Sequence, residues 1–387
     1  MEIIEGVLQG YAWGSTTSIP DLLGRPVTGE PVAELWLGAH PSAPSLVGGA
    51  GVRLDELVAA DTEAALGHDV AERFDTLPFL LKVLAADAPL SLQAHPSVAQ
   101  AEAGFAREES AGIAIDAPDR SFRDRHHKPE LICALTEFDA LCGFREPEQT
   151  IEVFESIATP GLDTVCGMLR TDPTSEGLGR VLEWILTLDV ADAAALVEPV
   201  VAACREDRRG PHAAERAMAA MLGDRYPGDA GVVTALMLNL LTLQPGEALF
   251  LGAGNLHMYL GGTGVEIMAN SDNVVRGGLT SKHVDVTTLI EVVTPDPIVP
   301  AVQRPAAVDG VVRYDAPVPE FSLDRIELDG EVTIEGGPAI LLCTDGRAES
   351  GDHTLDCGTA VWVPASDGDT VFEGRATIFR AGVGRLQ

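Results

Sequence analysis

Apolar residues return at helical spacing through one long stretch of this chain. In EQTIEVFESIA, GLGRVLEWILTLD, VADAAALVEPVVAACRED, HAAERAMAAMLGD and DAGVVTALMLNLLTL the apolar positions form stripes; in the last, Val232, Leu236, Leu240 and Leu243 share one. The pattern predicts a helical block over 146–243 whose stripes make core. Pro199 is expected to kink or split its helix, because it has no N–H to donate. Before the block, AELWLGAH, PFLLKVL and LSLQAH read as strands between Gly- and Pro-rich turns. Helices are predicted near LDELVAADTEAALG and SVAQAEAGFARE. After Pro245 the chain turns to strands again: PGEALFLGAGNLHMYL, GVEIM, FSLDRIEL, EVTIEG, PAILLCT, TAVWVPAS, DTVFEG and ATIFRAG are short runs broken by Gly, Pro and Asp. Strands, a helical block and more strands predict a β-rich α+β chain with a sandwich or barrel such as a jelly roll, not a doubly wound sheet.

The length of 387 residues implies two or three domains, and 46% hydrophobic residues exclude a disordered chain. With 26 Lys plus Arg against 59 Asp plus Glu, the formal charge is −33. Such acidity argues against a nucleic-acid partner and against an anionic membrane surface. The N-terminus lacks a basic segment followed by an apolar one, no run is apolar enough to span a membrane, and the six Cys form no C-x-x-C pair. A reducing, cytoplasmic setting is the expectation. No G-x-G-x-x-G or Walker A pattern supports a nucleotide cofactor.

Only Lys82, Lys128 and Lys282 among the 26 basic residues are lysines. All three fall within 78–97, 126–145 and 246–286, blocks that also hold five of the nine histidines but only two arginines, Arg145 and Arg276. Where Arg has replaced Lys generally, retained lysines mark positions that need a compact, titratable ammonium. In SLQAHPS, Gln93 and His95 are two apart on a predicted strand, so both leave one face, as a chelating pair needs. Glu130, after Pro129, is a carboxylate ligand or a solvated charge. The spacing Gly246, five residues, Gly-Ala-Gly, two residues, His257 resembles the second motif of the cupin superfamily, which places a metal-binding His on a barrel strand. Gln93, His95, Glu130 and His257 would make a nitrogen and oxygen ligand set; zinc fits it, and iron, manganese or cobalt could also bind.

YAWG (11–14), AELWLGAHPSAPS (33–45), LPFLLKVLAADAPLSLQAHPS (77–97), HHKPELICALTEFDALCGFR (126–145) and GVEIMANSDNVVRGGLTSKHVDV (264–286) together closely resemble the type I mannose-6-phosphate isomerases, or phosphomannose isomerases. The resemblance implies a zinc-dependent aldose–ketose isomerase interconverting mannose 6-phosphate and fructose 6-phosphate, with one zinc ion per chain. It implies a catalytic cupin domain over 1–145 with 244–300, a helical domain over 146–243, and a cupin-like β-barrel over 301–387. It also makes a monomer plausible. By motif position, Gln93, His95, Glu130 and His257 match the zinc ligands and Arg276 the catalytic arginine. Trp13, Glu34, Lys82, Ser91, Lys128, Glu266, Asp272 and Lys282 match positions lining the family's pocket. The C-terminal region has a lone histidine, His353, so no second metal is expected there.

An aldose–ketose isomerisation moves a proton between adjacent carbons and builds charge on oxygen, which zinc and Arg276 would stabilise. Lys128 leads as general base, because burial beside a cation lowers a lysine pKa, with His127 and Glu266 as alternatives. Lys82, Ser91 and Lys282 are the expected phosphate ligands. Trp13 is expected as a packed wall, and Glu34 and Asp272 as partners of sugar hydroxyls or of the lysines. All three lysines should then surround one cleft. Two other readings compete: an iron-dependent cupin dioxygenase, and a sugar-phosphate binding protein without turnover.

Overall fold

Every residue of the Phe79–Ala86 strand is buried, including Lys82. A strand buried on both faces needs cover on each, and alternation divides the work. Leu81 and Val83 pack with Leu131, Val265 and Ile267 against Ile340, Leu342, Trp362 and Phe379 of the C-terminal sheet. The opposite face carries Lys82, with Trp36 and Glu266 as its cross-strand neighbours on either side. The computed structural model describes residues 1–49, 51–207 and 209–385.

The strand that organises this region is His257–Ala269. Its second half pairs antiparallel with Phe79–Ala86 and Glu130–Ala134; its first half pairs with Phe138–Phe144 and with Gln93 of Leu92–Ala94. The change of partners falls at Gly261–Gly262. There the register slips, and Gly262 has φ +118°, where a Cβ would meet the Glu137 carbonyl at 2.5 Å. Two antiparallel layers therefore share one bent strand. Among the described residues their pairing forms open layers, so the barrel expectation holds only in its β-rich, antiparallel part. Leu84, Ile132, Phe138, Ala140, Leu249 and Tyr259 fill the space between layers.

The helical block supplies Pro147–Ile157, Pro160–Thr171, Ser175–Leu186, Val190–Glu206, Ala213–Arg225 and Gly231–Leu236. Its core merges with Leu92, Ala94, Leu141, Phe144, Met258 and Val275, covering the second layer. Val190–Glu206 stays one helix of 17 residues with Pro199 inside it, so of the expected kink or split the split does not occur. Pro199 and Ala195 both lie on the exposed side, so the Ala195 carbonyl that loses its donor faces water. The helix expected over 54–67 is split at Asp61, whose side chain accepts the Ala64 N–H and caps the second piece.

The C-terminal strands are longer than the sequence punctuation predicts: Ser322–Ile334, Ala339–Ser350 and Thr370–Gly382 each run through a break read from Gly or Asp. Their sheet is extended by the opposite end of the chain. Glu2–Glu5 pairs with Ala360–Val363 and with Leu46–Val47, so the first residues cross the expected boundary between the catalytic and C-terminal parts. No described helix is long and apolar enough to cross a membrane.

Candidate active site

Four strands and the turns beside them bring the polar face of the first layer against the row of the second. His257 stands opposite Gln93 in register, and Gln93 stands opposite Arg276 on Val275–Gly278. Cross-strand partners project to the same side, so these three form one row. Glu130 begins its strand opposite Met268, and His95 directly follows Leu92–Ala94.

His95, Glu130 and His257 are all buried, and ligand atoms from the three lie within 4.8 Å of one another. The His95 and His257 Nε2 atoms are 3.4 Å and 3.5 Å from Glu130 Oε2. Each imidazole is oriented through its other nitrogen: His95 Nδ1 is 2.8 Å from the Asn273 carbonyl and His257 Nδ1 is 3.0 Å from the Asn255 carbonyl. A carbonyl only accepts, so each Nδ1 carries a proton, and each ring turns its Nε2 toward the site. His95 Nε2 and Glu130 Oε2 are buried without a hydrogen-bond partner. Gln93 Nε2 approaches His257 Nε2 at 3.3 Å, and turning this amide over presents its oxygen instead. Two imidazoles, a carboxylate and an amide oxygen fit a divalent cation such as zinc, and the orphaned atoms are what such an ion would satisfy.

The electrostatics agree with that fit. Burial lowers the His95 imidazole to about 4, against the pull of Glu130, so it stays neutral near pH 7. Burial alone would raise Glu130, but Lys128 and the two histidines outweigh it and hold the carboxylate well below its ordinary value. Lys128 Nζ sits 2.8 Å from Glu130 Oε1, the oxygen turned away from the histidines. Glu266 behaves oppositely. Burial first and then Glu130 raise it to about 7, against the attraction of Lys82 and Lys128. The Tyr259 hydroxyl donates to Glu266 Oε1 at 2.9 Å, and Lys82 Nζ lies 3.5 Å from Oε2.

Lys82, expected among the phosphate ligands, is held between carboxylates: Glu34 Oε1 lies 3.6 Å away on the side opposite Glu266. Burial would lower its pKa, but Glu34, Glu266 and Glu130 raise it above the ordinary value. Glu34 also accepts the Trp36 indole N–H at 2.7 Å. Lys282 is exposed, with Nζ 5.7 Å from the Tyr11 ring centroid. Tyr11 stacks on Trp13, which packs as a wall on the cluster between the layers. Ser91 is half-buried at the entry to Leu92–Ala94, and Asp272 Oδ1 lies 3.6 Å from His40 Nε2. His127 turns from the ligand triad, with Nε2 2.8 Å from Glu320 Oε1 of the C-terminal region.

Arg276 and Lys282 both have lowered pKa values, from burial first and then from like charge: Arg123 acts on Arg276, and Arg276 and Arg123 act on Lys282. Arg123, one of 23 arginines, carries no distinguishing mark in the sequence. Tyr11 lies within the quoted YAWG run, and Asn273 within MANSDN. Asn273 is fully buried, and its side-chain oxygen accepts from the Arg123 and Asp124 N–H groups while its carbonyl orients His95. One residue thus ties the 123–126 segment to the ligand triad.

Residues 1–147 match the family described as phosphomannose isomerase type I, catalytic domain. Mannose-6-phosphate isomerase from Escherichia coli (strain K12) is 35% identical over 392 residues, covering 98% of this chain and 99% of its own. Mannose-6-phosphate isomerase 1 from Arabidopsis thaliana is 32% identical, covering 91% of this chain and 85% of its own. Among solved structures, the apo mannose 6-phosphate isomerase of Salmonella typhimurium has a TM-score of 0.91 at 33% identity, covering 100% of this chain and 99% of that one. A zinc-bound holo mannose 6-phosphate isomerase has a TM-score of 0.91 at 34% identity, covering 99% of each.

Proposed function

The chain belongs to the type I phosphomannose isomerase family, and from that premise we propose that it interconverts mannose 6-phosphate and fructose 6-phosphate with one bound zinc ion. The observation that carries the reading is the buried His95–Glu130–His257 triad, with ligand atoms within 4.8 Å of one another, beside Arg276, which has no ion-pair partner among the described residues. The two layers sharing His257–Ala269 are read as the cupin-type scaffold of this family.

Gln93, His95, Glu130 and His257 would hold the ion. When bound, it supplies Lewis-acid stabilisation to oxygen charge that develops as the carbonyl moves between C1 and C2. Glu266 is the general base in this reading. Its carboxyl, raised to about 7, is partly ionised at neutral pH and basic enough to take a proton from a carbon next to a carbonyl. Lys128 is paired with Glu130 and His127 with Glu320, so neither is the base in this reading. Returning the proton to the neighbouring carbon completes transfer through an enediolate. Arg276 stabilises the enediolate charge, and with Lys282 and Arg123 it attracts the phosphate of a dianionic substrate into a protein of net charge −33. Lys82 offsets Glu34 and Glu266.

Metal content and conversion of mannose 6-phosphate, measured on the same preparation, test the function. One zinc per chain with turnover is expected; substrate binding without turnover would sink the isomerase reading.

The pH profile tests the base. Glu266 must be ionised, so kcat/KM should rise with pH on the acid side and level off near or below about 7, because a neighbouring divalent ion favours the carboxylate. Glu266→Gln should remove that limb and lower kcat by about 10²- to 10⁴-fold. An unchanged acid limb in Glu266→Gln would assign it to another group.

A further inference from the structure

Arg276 lies immediately before an irregularity in its own strand. It pairs with Gln93, but Leu92, the next residue along the partner, pairs with Gly278 and not Gly277. Gly277 is therefore an extra residue, a bulge, and a bulge re-aims the side chains beside it. The two residues that follow have unusual backbones: Gly278 has φ +127° and Leu279, a branched residue, has φ +55°. A left-handed Leu persists only where its surroundings hold it.

The support comes from the helical block. Asp229 Oδ2 accepts the Leu279 N–H at 2.9 Å, while Oδ1 accepts the Gly231 N–H at 2.8 Å. The contact is close enough that a Cβ at Gly231 would meet Leu279 Cγ at 2.8 Å, and a Cβ at Gly278 would meet Asp229 Oδ1 at 2.9 Å. Leu279 itself is fully buried in the helical-block core. One carboxylate thus joins the start of Gly231–Leu236 to the turn between Arg276 and Lys282.

The geometry points to Asp229 as a positioning residue for the reaction, through which the helical block holds the bulge that aims Arg276. The inference rests on Arg276 acting on the substrate. Among the described residues Asp229 makes its side-chain hydrogen bonds to the Gly231 and Leu279 N–H groups, and none to the ligand triad or to Arg276, Lys282 or Arg123.

The test is steady-state kinetics with mannose 6-phosphate on the zinc-loaded full chain, with rates normalised to bound zinc. Asp229→Ala should keep one zinc per chain and lower kcat by about tenfold to a hundredfold, the scale of a misplaced catalytic group. Combined with Arg276→Ala, it should add little to the loss caused by Arg276→Ala alone, because both changes remove the same contribution. A merely structural role would lower the yield of loaded enzyme and multiply through the double variant. Parental kcat in folded Asp229→Ala, or losses that multiply, would overturn the inference. If Asp229→Ala does not fold, Asp229→Asn decides, since it keeps the side-chain volume and withdraws one of two acceptors. A severalfold fall in kcat that vanishes on the Arg276→Ala background supports the inference, and parental kcat overturns it. Parental turnover by Arg276→Ala would remove the premise itself, whereas a damaged Arg276→Ala beside an undamaged Asp229→Ala would overturn this inference alone.

Discussion

Glu130→Ala should lose both the metal and the turnover. Glu130 is the only carboxylate of the triad, so its removal leaves two imidazoles and an amide to hold a divalent ion. Metal Lewis-acid stabilisation is worth several kcal/mol, and each 1.36 kcal/mol is tenfold in rate, so kcat should fall by about 10³-fold or more. The same change strips Lys128 of its 2.8 Å partner in a buried setting. Leaving one member of a buried pair without its counter-charge costs about 3–5 kcal/mol, so thermal unfolding should shift down as well. Glu130→Gln separates the two effects. It keeps an oxygen donor and the side-chain volume but loses the charge, so it should bind zinc weakly, and added zinc should restore part of the turnover. Zinc content by elemental analysis, read beside calorimetry and the isomerase assay, checks the outcome. Full activity in metal-free Glu130→Ala would end the metal-dependent reading.

Arg276→Ala should behave differently: it should keep the metal and lose the rate. Arg276 is one strand beyond Gln93, which is itself next to His257, so it borders the ligand set without belonging to it. Burial and Arg123 lower its pKa, but a guanidinium begins so high that it remains charged. No carboxylate pairs with it among the described residues, which leaves the charge available to an anionic substrate. Removing one preorganised donor from developing oxygen charge typically costs about 10²–10³ in kcat. Arg276→Lys should recover only part of this, because an ammonium cannot present two parallel donors. If KM rises while kcat holds, Arg276 serves ground-state binding of the phosphate alone. An isomerase rate within twofold of the parent would remove Arg276 from the mechanism.

The local chemistry was largely legible in the chain. Gln93 and His95 share a face because a strand has a period of two, and the glycine spacing before His257 resembles the second cupin motif. The clustering of the only three lysines in three segments marks those segments. Their individual environments were not legible. Lys82 was expected at the phosphate and lies between Glu34 and Glu266, because cross-strand register, not sequence position, sets its neighbours. The surroundings of Lys128 and Glu266 are set in the same way: one carboxylate sits on Lys128, while another is raised by burial and Glu130. Arg123 and Asp229 carried no pattern at all, since each acts through a partner about 150 or 50 positions away.

The sequence by itself determined the net charge of −33 and the kind of elements present, with period-two runs for strands and period-3.6 stripes for the helical block, and it offered the candidates for the site. Only the tertiary structure decided which charges meet. The bend at Gly261–Gly262 lets one strand join two layers, so Glu130 from one layer reaches His95 and His257 of the other, and the helical block reaches under Arg276 through Asp229. The physical reason is that hydrophobic periodicity is a local, averaged property of a segment. Coulomb and hydrogen-bond energies depend on separations of a few ångströms between residues far apart in the chain, and packing alone sets those separations.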